Sequence, residues 1–194
     1  DLSKIVSFNP SGFLNNFALD DGSRLSFIIG KMFEAKKLSK DITFKQLFEL
    51  SKIKLIVSTV CLNDNQVHYL SYISHPDIPV LTGLRMTSAL PIIFSPVTHN
   101  GKLYVDGGCI DNYPIRLFKD EIKSTIGVLL ITNSKYKKNI DNIEDFLFTL
   151  LTSIINGMTC SVAHDYEQNT IIVRVPDVKV SDSKISKNIK SELY

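Results

Sequence analysis

"GKLYVDGGCIDNYPI", residues 101–115, decides how the rest of the chain is read. A short apolar run ends in an acid, two glycines follow, and an Asn-Tyr-Pro turn begins six residues after the acid. "KLYV" predicts a strand that delivers Asp106 to its carboxyl end, the place where ligands bind in open α/β sheets. Gly107 and Gly108 carry no side chains, so the backbone can turn sharply there and a second group can approach closely. Asn112 can fasten the following loop through its side-chain amide, and Pro114 suits the first turn of the helical segment "PIRLF". Local physics leaves two readings of Asp106 open. It is a catalytic carboxylate, or it is the first residue of a tight turn, since Asp and Gly are standard turn residues.

Outward from this segment the chain alternates strands and amphipathic helices. Residues 24–37 place Leu25, Ile28, Ile29, Met32 and Phe33 on one helical face. Thr43 and Gln46 form the two halves of a capping box for a second helix, with Phe44, Leu47 and Phe48 turned inward. "IKLIVSTV" at 53–60 has the continuous β-branched pattern of a strand covered on both faces, and "QVHYLSYI" at 66–73 can pair with it as a hairpin through Asn63-Asp64-Asn65. "VLTGLRMTSALP" predicts a helix that stops before Pro91. "TIGVLLIT" at 125–132 and "TIIVRV" at 170–175 are further strands. Between them the spacing of Ile143, Phe146, Leu147, Leu150, Leu151, Ile154, Ile155 and Met158 predicts a long core helix capped by Asp141 or Asn142, and a polar, lysine-rich tail ends the chain. The pattern predicts an α/β layer with at least part of its sheet parallel, and the fold class expected for the chain has a mainly parallel sheet.

At 194 residues and 44% apolar, the chain can bury one core, and residues 1–194 are read as a single domain. Its 22 basic and 20 acidic residues are dispersed, with no basic block for phosphates, so nucleic acid is not an expected partner. Cys61, Cys109 and Cys160 lie far apart with no CxxC pair, which points to reduced thiols and to no metal site. No continuous apolar run reaches the roughly 18 residues of a membrane span. The expected location is intracellular, soluble or peripheral to membranes, and no cofactor is expected.

Two linked blocks give the Asp-Gly-Gly segment a context. "LRMTSALPIIFSPV" at 84–97 and "GKLYVDGGCIDNYPI" at 101–115, in this order and spacing, resemble the patatin-like phospholipase family, with its Pro-Phe-Pro-Val segment and its DG[GA] block followed by Asn-x-Pro. The helix-strand-hairpin region 42–67 is similar as well, and the likeness extends from about Phe13 to Thr132. The resemblance implies a three-layer α/β/α fold and a lipid acyl hydrolase working through a Ser-Asp dyad, without the histidine of a triad. Its aspartate maps to Asp106, its motif to Asp106, Gly107 and Gly108, and its substrate would be a phospholipid or other acyl-ester lipid, with peripheral membrane contact.

The nucleophile does not map. The family's G-x-S-x-G elbow needs glycines four apart around a serine. None of the nine glycines, at 12, 22, 30, 83, 101, 107, 108, 127 and 157, meets that condition. In the family both the elbow and the glycine-rich oxyanion loop precede the region matching residue 13, so a missing amino-terminal segment of the same domain is expected, from a truncated chain or a split gene. The alternative is a non-catalytic lipid-binding or interaction domain that keeps the fold. Within the chain, Cys109 reads as a small buried residue after the turn, Ser88 as a helix or turn residue, and His68, His75, His99 and His164 as structural or exposed.

Overall fold

The computed structural model describes residues 17–132, 140–141 and 143–175. The amino-terminal 16 residues, the alternative cap Asn142 and the tail after Val175 lie outside the described residues. The architecture is mixed α/β, in two compact units, one ending at Asp111 and one beginning at Asn112.

In the first unit, strand β1 (Ala18–Asp20) leads to helices α1 (Ser23–Ala35) and α2 (Phe44–Ser51). The predicted capping box is present. Thr43 Oγ1 accepts from Gln46 N at 3.2 Å and Gln46 Oε1 accepts from Thr43 N at 3.0 Å, satisfying two N–H groups that a helix start leaves over. On α1 the expected face is half-buried except for Met32, which is exposed. Strands β2 (Val57–Cys61) and β3 (Gln66–Leu70) form the expected antiparallel hairpin. The strand is shorter than its apolar run, and Ile53 lies outside it, exposed. Helix α3 (Val80–Thr87) ends ahead of Pro91, three short strands follow, β4 (Ile92–Phe94), β5 (Val97–His99) and β6 (Lys102–Asp106), and the short helix α4 (Gly108–Asp111) ends the unit.

The sheet of this unit runs β3-β2-β6-β5 and is antiparallel throughout, which differs from the mainly parallel sheet expected. For two of its three pairings, β2–β3 and β5–β6, the reason is the length of the connections. Turns of a few residues at Leu62–Asn65 and Asn100–Gly101 can join only antiparallel neighbours, because a parallel return needs a dozen or more. Parallel pairing among the described residues occurs between β1 and β4, and in the second unit. Ile42, Phe44, Val57, Cys61, Leu70, Val80, Met86 and Tyr104 make the core that this sheet shares with α2 and α3.

The second unit begins with a 3₁₀ segment, Pro114–Ser124, and continues through β7 (Gly127–Thr132), α5 (Ile143–Asp165) and β8 (Thr170–Val175). β7 and β8 are parallel and in register from Gly127↔Thr170 to Thr132↔Val175. Leu129 packs with Tyr113, Ile115, Val162, Ala163 and Tyr166. Two expectations about α5 are corrected here. Ile143, Phe146, Leu150, Ile154 and Met158 are exposed, so these residues of the predicted stripe do not serve as core. Asp145–Asp165 is also long and apolar enough to cross a membrane by length and composition, with a mean hydropathy of 1.6. The sequence reading missed this because Thr, Ser, Asn and Gly interrupt the run without adding charge.

Candidate active site around Asp106

β6 carries Asp106 to its last position, as the apolar run predicted. The strand is held on one side by β2, with Thr59 opposite Asp106 and Thr59 Oγ1 donating to Val105 O at 2.7 Å. On leaving the sheet, the Asp106 N–H donates to Ala89 O at 3.0 Å, so the "TSALP" stretch and the Asp-Gly-Gly turn are physically joined. The Asp106 carboxylate then accepts from Gly108 N at 2.7 Å. Gly107 O in turn accepts from Ile110 N at 3.1 Å and Asp111 N at 2.9 Å, closing the short helix α4 (Gly108–Asp111).

Asp106 is a turn acid in its hydrogen bonding, and its side chain is half-buried. Desolvation raises its pKa above the ordinary aspartate value, and the Gly108 N–H only partly offsets this. A carboxylate so placed is a stronger proton acceptor than one in water.

The need for glycine at 107 is steric. A Cβ there would lie 2.4 Å from Ser58 Oγ and 2.6 Å from the Ser58 carbonyl carbon, so β2 and the turn meet with no room between them. The far end of α4 is tied back to the hairpin, where Tyr69 OH donates to Asp111 Oδ2. Burial and this bond push the Tyr69 pKa up, so the phenol stays protonated as the donor.

Cys109 is half-buried, less enclosed than the small buried residue expected. Desolvation, with the Asp106 charge beside it, pushes its thiol up to about 11, which suppresses the thiolate that nucleophilic chemistry would require. Ser88 Oγ donates to Leu84 O at 2.8 Å, a bond within the last turn of α3. In the second unit, Asn112 Nδ2 donates to Thr159 Oγ1 at 3.1 Å, the loop anchor the sequence suggested, and Pro114 starts the 3₁₀ segment.

Sequence reasoning passed over Arg85. It is buried, and its Nη2 donates to Asp21 O and Ser95 O, both at 2.9 Å, which fastens the chain around β1 to the chain after β4. The available signal was a lone arginine inside the apolar helix "VLTGLRMT".

The patatin-like phospholipase family model matches residues 2–119, well over half of the chain. The chain belongs to the patatin-like phospholipase family. Among curated proteins it is 26% identical over 186 residues to "Uncharacterized protein R571" of Acanthamoeba polyphaga mimivirus, covering 92% of this chain and 61% of that protein. It is 33% identical over 112 residues to "Probable lipid hydrolase 463L" of Invertebrate iridescent virus 6, covering 54% of this chain and 39% of the other. YqhO of Bacillus subtilis is 34% identical over 128 residues, with 61% and 44% covered. The patatin-like chain thus spans less than two thirds of the length of each of these relatives. Its fold is like that in the crystal structure of VipD from Legionella pneumophila, with a TM-score of 0.53 at 14% identity, over 78% of this chain and 32% of the other. The resemblance read from the two motif blocks is confirmed at the level of the family.

Proposed function

We propose that the chain is part of a lipid acyl hydrolase and contributes Asp106 as the acid of a Ser-Asp dyad, within a three-layer α/β/α domain that residues 1–194 form in part. The placement of Asp106 carries the reading: a half-buried carboxylate at the end of β6, fixed by the Gly108 N–H at 2.7 Å. Family membership and the lipid hydrolase among its relatives support the reaction class. The serine lies outside these 194 residues in this account, because no G-x-S-x-G occurs among them.

The chemistry follows from the geometry. With Oδ1 held by the Gly108 N–H, Oδ2 is the oxygen that takes the proton as the serine Oγ attacks the ester carbonyl carbon. The tetrahedral intermediate collapses, the C–O bond to the alcohol breaks, and the alcohol leaves with that proton. Water then attacks the acyl-serine by the same route, with Asp106 again taking and returning a proton. The raised pKa of Asp106 supports the first transfer, since proton acceptance is most efficient when the acceptor is not too weak a base. The substrate in this reading is a phospholipid or another acyl-ester lipid.

The test is turnover of a phospholipid by this chain, alone and joined to the coding sequence upstream of Asp1. The chain alone should be inactive. The extended protein should hydrolyse the lipid and take up a serine-directed fluorophosphonate. Hydrolysis by the 194 residues alone, blocked by that inhibitor, would overturn the assignment. The absent elbow also favours a second reading, a non-catalytic lipid-binding or interaction domain. A start codon immediately before Asp1 would support it.

A further inference from the structure

The β2–β3 hairpin holds a second cluster of reactive side chains that the proposed hydrolysis does not use. Cys61 stands opposite Gln66 on β3 and opposite Tyr104 on β6, while Thr59 stands opposite His68. Directly opposed residues, and residues two apart on a strand, share a face of the sheet, so Cys61, His68 and Tyr104 lie on one side. The turn between the strands folds Asp64 over the same side. It is anchored by two side chains: Asp64 Oδ1 accepts from Gln66 N at 3.1 Å, and Asn63 Oδ1 accepts from Leu103 N at 2.7 Å. Asp64 Oδ2 is thereby left to meet His68 Nε2 at 3.2 Å and Lys102 Nζ at 3.3 Å.

One thiol sulfur, one carboxylate oxygen and one imidazole nitrogen, from Cys61, Asp64 and His68, lie within 4.8 Å of one another. Tetrahedral zinc with bonds of about 2.0–2.3 Å holds its ligand atoms about 3.3–3.8 Å apart. The three donors need to close by only about 1 Å to reach that spacing, a rotamer adjustment for the two that are not fully buried. Their chemistry selects the ion. A thiolate and an imidazole favour zinc or another borderline-soft divalent metal, whereas magnesium and calcium take oxygen ligands.

The present charge balance has the same form. Lys102 supplies the positive charge beside Asp64, from a side chain that is 47% exposed and free to swing into water.

We propose that Cys61, Asp64 and His68 form a three-ligand zinc site, with the fourth position open to water and Lys102 displaced when the ion enters. The balance is simple: the Cys61 S–H gives its proton to solvent, His68 binds as the neutral imidazole, and no redox step is involved. The ion would clip together β2, its turn and β3, next to the strand that ends in Asp106. The spacing Cys-x2-Asp-x3-His escaped a sequence search for CxxC pairs because one donor is a carboxylate on a turn.

Cobalt(II) titration of the full chain, with a phosphine reductant and without chelators, tests this. One equivalent should give tetrahedral d–d bands and a thiolate-to-cobalt charge-transfer band, both abolished by one equivalent of zinc. His68→Ala should weaken binding about 100-fold or more, and Lys102→Met should strengthen it by removing the competing cation. Cys61→Ser should eliminate the charge-transfer band. His68 and Lys102 are not core residues, so urea midpoints within experimental scatter of the parent show that these variants fold. Absence of the bands, or bands that survive His68→Ala unchanged, overturns the site. The readout is independent of lipid turnover.

Discussion

Replacing Asp106 by Asn separates its turn role from its acid role. The amide oxygen can still accept from Gly108 N, now at 2.7 Å, so the turn keeps its bond. The desolvated charge is removed. Because burial raises the Asp106 pKa, the folded state disfavours the carboxylate relative to the unfolded chain, and Asp106→Asn should be neutral or stabilising at pH 7. Asp106→Ala removes the acceptor as well, leaving the Gly108 N–H without it, at a cost of about 1–3 kcal/mol relative to Asn. With a urea m-value of about 2 kcal/mol/M, that difference moves the midpoint by about 0.5–1.5 M. The pH dependence has a definite sign. For a raised carboxyl the native state binds more protons than the unfolded state between about pH 3.9 and the folded pKa. Stability therefore falls as pH rises through that window and is level above it, whereas the Asn variant lacks this contribution. Urea melts followed by circular dichroism from pH 3.5 to 8 measure it. An Asn variant as unstable as the Ala variant, or a parent that gains stability relative to Asn as pH rises, would refute the reasoning.

Gly107→Ala should destabilise by about 1–3 kcal/mol, since the new methyl meets Ser58 backbone that cannot yield; thermal unfolding checks this. Thr43→Ala removes the capping bond to Gln46 N and should cost about 0.5–2 kcal/mol, read as a lower urea midpoint. Cys109→Ser should leave lipid turnover of the extended protein within about twofold, because a thiol pushed up to about 11 supplies almost no thiolate at neutral pH.

Much of the fold was legible because it is local. The Thr43–Gln46 box, the β2–β3 hairpin around Asn63-Asp64-Asn65 and the delivery of Asp106 by "KLYV" each rest on a few neighbouring residues. The three-residue strands Ala18–Asp20, Ile92–Phe94 and Val97–His99 were missed because so short a strand shows no period. The antiparallel sense of the β2–β3 and β5–β6 pairs depended on connection lengths that buried-strand composition does not report. For the candidate site, the position of Asp106 at the end of a strand was legible through two motif blocks in order. Arg85 and the Cys61, Asp64 and His68 cluster were not, since strand register and turn folding bring them to their partners.

The central claim is that Asp106 is the proton acceptor of a serine acyl hydrolase. Its most direct test is phospholipid turnover by the protein extended upstream of Asp1, measured for the parent and for Asp106→Asn side by side. The account predicts hydrolysis by the parent and a loss of about 10⁴-fold or more in kcat for the variant, with the urea midpoint unchanged or higher. Turnover retained within tenfold by a folded Asp106→Asn protein would contradict it.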